Sequence, residues 1–399
     1  MSDMKNKVYR LDELCDIKSG KRIPKEMDFV TFETEHPYIR ARDIKEGKIN
    51  TDDLIYLEDD VFQKIKRYII NSGDIAITIV GASVGDTGYA SKNVDGYNLT
   101  ENAVRLTNYK NNVDSKFLHY VLAQKQYHDY MQLIAGAAAQ PKLGIYKVKR
   151  IKVELPDLKK QKRIANILSA YDNLIENNNK RIRLLEQMAE NLYKEWFVRF
   201  RFPGYENVDF ENGIPKGWKI ERLSDIADII MGQSPESENY NTNCEGLPFH
   251  QGVGSYGNFY LIDDVYSTKG NRIAEANSII FSVRAPVGRI NITLNKIILG
   301  RGVAGINSVK GYNAYLLWML KNQFHQEDII GNGSIFASVT KKDLFGFKIL
   351  MPNEDLIQKF DSIASGIESA IRKISLINSN LKKQREMLLP RLMSGKLEV

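Results

Sequence analysis

The stretch IANILSAYDNLIENNNKRIRLLEQMAENLYKEW, residues 164–196, decides the architecture of this chain. Read in steps of four and three it gives Ile164, Leu168, Tyr171, Ile175, Asn178, Ile182, Leu185, Ala189, Leu192 and Trp196. That spacing keeps one helical face apolar over five heptads, with Asn178 the single polar intruder. A seam of this length implies a helix of ~50 Å, longer than one globular domain covers. A second run starts at Phe360 and continues through Ala364, Ile367, Ile371, Ile374, Asn378, Leu381, Arg385, Leu388 and Leu392. Its intruders are Asn378 and Arg385, and Pro390 is expected to break or kink it. The two seams are expected to pack antiparallel. Buried polar residues specify register best when they meet, so Asn178 is set against Asn378. This register places Trp196 on Phe360, Tyr171 on Arg385 as a cation–π contact, and Ile164 on Leu392.

Outward from the helices, the chain repeats itself. Leu14-Cys15-Asp16-Ile17 returns as Leu223-Ser224-Asp225-Ile226, each after an aromatic residue, Tyr9 or Trp218. Gly20-Lys21-Arg22 is matched by Gly232-Gln233-Ser234. An apolar run then ends in a tight turn, GASVG at 81–85 and RAPVG at 284–288. Capped helices are expected from Ser115 and from Asn313. The alternating residues Ile151, Val153, Leu155 and Phe347, Ile349, Met351 read as half-buried strands closed by Pro156 and Pro352. The expected organisation is a globule at 1–155, a long helix at 156–202, a second globule at 203–350 and a second long helix at 351–399. The fold class is α+β: two mixed α/β globules joined by two long helices in an antiparallel coiled coil, a pseudo-twofold tandem repeat.

Among 399 residues, 43% are hydrophobic and 26% charged, a composition typical of soluble globular chains. No run of 18 apolar residues exists, so no membrane helix is expected. The start of the chain has no apolar core of the signal-peptide kind, and a cytoplasmic location is expected. Cys15 and Cys244 are too far apart in sequence to suggest a disulfide framework or a metal site. The net charge of +7 is concentrated in two stretches. Residues 142–202 carry 15 Lys/Arg against 7 Asp/Glu, and residues 339–399 carry 11 against 7. Such basic stretches are a footprint of nucleic-acid binding, although solvated helices are often basic too.

Catalytic patterns fail in turn. GASVG fits the nucleophile elbow with Ser83 as nucleophile, but that motif needs a following helix. Here Asp86-Thr87-Gly88 follows, and the second copy carries Pro286 at the matching place. No phosphate-binding G-x-x-x-x-G-K-[ST] loop, no adenine-methylase Asn/Asp-Pro-Pro-aromatic motif and no paired histidines at metal-ligand spacing occur. Neither a catalytic site nor a metal is expected. A fused DNA methyltransferase and a non-DNA coiled-coil scaffold stay open as alternatives.

The succession Leu247-Pro248-Phe249-His250-Gln251-Gly252, then Phe281 to Gly288, then Gly300-Arg301-Gly302-Val303-Ala304 resembles the target-recognition domains of type I restriction-modification specificity subunits. Pro37 to Ile44 and Gly73-Asp74-Ile75 are similar but looser. The helix tails, 187–197 and Leu389 to Gly395, are also typical of the family. His250 is a departure, since relatives often carry another residue before Gln-Gly. The resemblance implies a non-catalytic DNA-reading subunit in which each domain reads half of a bipartite site. It implies two methylation subunits as partners, together with restriction subunits in the full complex. S-adenosylmethionine, ATP and Mg are expected on those partners and none in this chain.

Base edges are read by Arg and Lys at guanine and by Asn and Gln at adenine. The candidate DNA contacts of the first half are Lys21, Arg22, Arg40, Arg42, Ser83 and Lys142. Those of the second half are Gln251, Ser255, Tyr256, Ser282, Arg284, Arg289, Arg301 and Lys341. Each could instead be a surface ion pair or a turn residue.

Overall fold

The computed structural model describes residues 6–136, 141–329 and 339–397. The chain divides into two compact units, Met1–Asn177 with Asn378–Val399, and Asn178–Ile377.

In the first unit, Lys7–Arg10 pairs antiparallel with Lys152–Leu155 and leads into the short helix Leu11–Leu14. A six-stranded sheet runs in the order Asp16–Ser19, Ala103–Thr107, Ile75–Thr78, Thr87–Tyr89, Gly47–Ile49, Ile44–Lys45. A three-stranded sheet sets Pro37–Ile39 parallel to Asn98–Leu99. Alternate side chains of a strand face opposite sides, and here both sides are covered. Ile75, Ile77, Val104 and Leu106 pack with Phe117, Leu118 and Leu122 of the helix Ser115–Leu122. Ala76 and Ala103 face the other way, onto Ile39, Ile44 and Leu99. This double burial explains why Ile75–Thr78 reads as a continuous apolar run.

The second unit repeats the plan. Lys219–Arg222 pairs with Lys348–Met351. A four-stranded sheet runs Ala227–Met231, Val303–Ser308, Ile279–Ser282, Ile290–Ile292. A five-stranded sheet contains the parallel pair Leu247–His250 and Ile297–Leu299. The helix Asn313–Ile329 stands where Ser115–Leu122 stands in the first unit.

The long helices span Leu158–Tyr193, extended by a π turn at Lys194–Val198, and Glu354–Met393. Within the first unit they run antiparallel. Lys160 Nζ lies 3.6 Å from where a Cβ on Gly395 would sit, and Asp172 pairs with Arg385. Ile164, Leu168, Leu388 and Leu392 share one core. Within the second unit, the Trp196 and Phe360 rings meet edge to face at 5.9 Å, the contact expected from the heptads. Asn178 and Asn378 are each buried.

Three local expectations are corrected. The helix is not broken at Pro390 but continues to Met393: the proline forfeits only the one bond its N–H would have made to the Glu386 carbonyl, and less than one turn follows it. The cap of Ser115–Leu122 is Asp114, whose carboxylate accepts from Phe117 N at 2.9 Å, so Ser115 is already helical. Arg385 pairs with the carboxylate of Asp172, which also accepts from the Tyr120 hydroxyl at 2.5 Å, and a charged partner displaces the expected stacking on Tyr171.

Candidate nucleic-acid interface

In each unit three loops meet at one end of the parallel strand pair. In the first, Gly20 N donates to Ala103 O at 3.1 Å and Lys21 N to Leu99 O at 2.8 Å. A Cβ on Gly20 would stand 2.0 Å from Thr100 O, so only glycine admits this approach. Lys21 is exposed, its Nζ 5.8 Å from the Tyr68 ring centroid. Arg22, with its side chain 73% exposed, pairs with Glu101 at 2.8 Å. The Tyr38 hydroxyl lies 3.0 Å from Lys21 O, and burial pushes its pKa up to about 12. Arg22, Tyr38 and Glu101 line a cleft of about 610 Å³ with Arg40, Arg42, Phe29 and Asn102.

Arg40 faces inward. Its guanidinium donates to both oxygens of the buried Asp43 at 2.9 and 3.0 Å and reaches the Asp53 carbonyl. It braces the turn Ala41–Asp43 instead of reaching out, because a bidentate carboxylate pair satisfies the guanidinium where it stands. Arg42 is 62% exposed and pairs with Asp53 at 2.5 Å.

The tight turn adjoins this corner through Ile79 N, which donates to Asn102 O at 2.7 Å. Ser83 is half-buried in it, with Ser83 O accepting from Asp86 N. The strand Thr87–Tyr89 follows, so the nucleophile elbow is absent. Lys142 is exposed and bridged to Val80, beside the same turn.

The second unit builds the same junction from other side chains. Gly232 N donates to Val303 O at 3.0 Å and Gln233 N to Leu299 O at 2.9 Å. The Ser234 hydroxyl accepts from Gln251 Nε2 at 3.0 Å and from Arg301 N at 3.1 Å, which ties three loops at one oxygen. Val283 N bonds Gly302 O, and Val339 N bonds Val283 O, which brings Arg284 and the Lys341 segment to the same edge. Arg284, Arg289, Arg301 and Lys341 are exposed. Lys341 Nζ lies 5.0 Å from the Phe345 ring centroid, on a helix capped by Thr340.

Ser282 and Tyr256 turn their hydroxyls inward. Ser282 is 1% exposed, and its hydroxyl donates to Pro286 O at 2.7 Å while accepting from Arg289 N at 2.8 Å. Both valences are satisfied inside the turn. Tyr256 directs its hydroxyl to Ile280 O, and burial pushes its pKa up.

Sequence reasoning missed a relay at His250. The buried ring contacts Ser255 Oγ at 2.7 Å through Nδ1 and Asp263 Oδ1 at 2.9 Å through Nε2. Asn295 donates to the other Asp263 oxygen at 2.6 Å. Burial pushes the Asp263 carboxyl up, but hydrogen bonds from His250 and Asn295 outweigh it and leave the pKa below its usual range. An ionised carboxylate only accepts, so Nε2 donates to Asp263, while Nδ1 pairs with the Ser255 hydroxyl. Ser255 thus anchors the 251–256 loop from inside. Residues 13 apart carry no local spacing signal for such a relay.

Among the described residues no group of three or more His, Cys, Asp or Glu could hold a metal, and no helix is long and apolar enough to cross a membrane.

A duplicated α/β unit, each copy presenting the same loop junction with different side chains, defines a protein with two related recognition surfaces. Residues 3–187 and 215–386 each match the family described as the type I restriction modification DNA specificity domain, and the chain belongs to that family. It is 31% identical over 372 residues to the MjaX type I restriction enzyme specificity subunit of Methanocaldococcus jannaschii, covering 91% of this chain and 88% of that one. It is 21% identical over 472 residues to the HindI specificity subunit of Haemophilus influenzae, which matches over the whole of both chains. The S subunit of a type I restriction-modification system from M. genitalium has a similar fold, with a TM-score of 0.59 at 16% identity over 98% of this chain and 97% of that one.

Proposed function

We propose that this chain selects the DNA site for a type I restriction-modification complex, each unit reading one half of a bipartite target. The observation that carries this reading is the repeated junction: one backbone arrangement, held by glycines at 20 and 232, presents Lys21, Arg22 and Glu101 in one copy and Gln233, Gln251 and Arg301 in the other. A conserved frame with exchanged side chains is what two different base sequences require. Lys21, Arg22, Arg42 and Lys142 are the outward contacts of the first unit, with Ser83 at its tight turn. Gln251, Arg284, Arg289, Arg301 and Lys341 are those of the second. Arg40, Ser255, Tyr256 and Ser282 hold the loops.

The chain is a non-catalytic specificity subunit that works with methylation and restriction subunits. S-adenosylmethionine, ATP and Mg act on those partners, in the cytoplasm. The test is methylation mapping of DNA from cells that express this chain with its methylation subunit. Exchange of residues 203–350 for those of a relative should change one half of the methylated motif. A change in both halves, or in neither, would overturn the modular reading.

A further inference from the structure

The corner that closes each loop junction is the same backbone in both units. In the first, Asn98–Leu99 turns through Thr100, Glu101 and Asn102 into Ala103–Thr107. In the second, Ile297–Leu299 turns through Gly300, Arg301 and Gly302 into Val303–Ser308. The two agree residue for residue. Ala103 N closes on Thr100 O at 3.2 Å and Val303 N on Gly300 O at 3.1 Å. The parallel neighbours are in register, Ile39 opposite Leu99 and His250 opposite Leu299. Together with the Gly20 and Gly232 bonds described above, these contacts put Glu101 and Arg301 at one structural position with opposite charge.

A position that clamped phosphate in both units would not carry a carboxylate in one of them, since phosphate repels it. A base edge accommodates either sign: carboxylates accept from the cytosine amino group, and arginine donates to guanine O6 and N7. The Glu101 carboxylate is also oriented, as a readout group must be. Thr100 Oγ1 lies 3.1 Å and Tyr38 Oη 3.4 Å from Oε2, while Arg22 holds Oε1.

We infer that Glu101 and Arg301 are equivalent specificity-determining residues, each reading one base pair of its half-site, Glu101 through the amino group of a cytosine and Arg301 through the acceptor edge of a guanine. Arg22 then acts as the positioning residue for Glu101. The inference rests on the DNA-reading function proposed above.

The experiment uses the full chain assembled with its methylation subunit, carrying Glu101→Gln or Arg301→Gln, with the methylated motif read position by position. Glutamine keeps an acceptor for Thr100 and Tyr38 and pairs with adenine. Glu101→Gln should therefore move one position of the first half from cytosine toward adenine by roughly tenfold and leave the second half unchanged. Arg301→Gln should do the same to one guanine of the second half. An unchanged motif, or methylation weakened alike at every position, overturns the inference. Should Glu101→Gln fail to fold, Arg301→Gln decides, since that side chain is exposed. If exchange of residues 203–350 alters one half while both glutamine variants leave the motif intact, only this inference fails. If the wild-type complex methylates no bipartite motif, the proposed function itself fails.

Discussion

His119 lies wholly inside the first unit, where burial pushes its pKa down to about 4. An unfolded histidine titrates near 6.5. On acidification the unfolded chain takes the proton first, so stability is complete above about pH 6.5 and is lost as pH falls toward 4. The difference amounts to on the order of 3 kcal/mol. Urea midpoints of wild type should fall across this window, and His119→Phe should flatten that slope. Glu368 in the second unit works in the opposite sense. Burial and the charge of Asp361 push its carboxyl up to about 7. Its folded pKa is raised, so the penalty grows as pH rises from about 4.5 through 7. Glu368→Gln should raise the melting temperature at pH 8 and leave it near wild type at pH 4.5. The His250 relay gives a third expectation. Ser255→Ala leaves Nδ1 of a buried ring unpaired, worth about 1–3 kcal/mol. Methylation mapping should show relaxed readout in the second half alone. At this scale basic residues at loops were legible in sequence, but their partners were not. Nothing in the spacing shows that Arg40 turns onto Asp43 while Arg284 stays exposed, because that depends on how the turn closes. Glu101 escaped notice for a chemical reason: an acidic side chain is not what one seeks beside an anionic ligand.

The elements were the most legible part, because a long heptad run has few competing readings. Trp196 and Phe360 meet as their heptad places require, inside a cluster with Tyr193, Phe197 and Tyr315. Trp196→Ala should cost about 3–5 kcal/mol by removing a large buried ring, measured as a shift in the unfolding of the second unit. Apolar periodicity does not report polar detail. The Asp172–Arg385 pair falls one residue from the expected layer, since a guanidinium long enough to leave its seam position goes to the nearest carboxylate. The cap at Asp114 was hidden because Ser115, an equally good capping residue, follows it.

For the whole molecule, the tandem repeat of α/β globules with long helices could be read from the repeated motifs alone. The compact units could not. Sequence patterns suggest boundaries where strand gives way to helix, near 155 and 350, whereas the units divide within the two helices, at 177/178 and 377/378. A heptad pattern shows that a helix has a covered face but not which globule covers each turn. Ile164 and Leu168 pack into the first unit, and Ile182 and Ala189 of the same helix into the second.

That division has a consequence for synthesis on the ribosome. The second unit is one continuous stretch and has all its residues once position 377 has left the exit tunnel. The first unit waits for the last turns of the chain, because Leu388, Leu389, Leu392 and Met393 complete the core around Ile164 and Leu168. Until then the first globule to be translated holds an uncovered apolar seam, and it is the last to be finished. A premature stop at codon 378 should therefore damage the beginning of the protein and spare its middle. Limited proteolysis of that truncated chain should cut within residues 6–136 or 141–177 and leave 178–324 resistant.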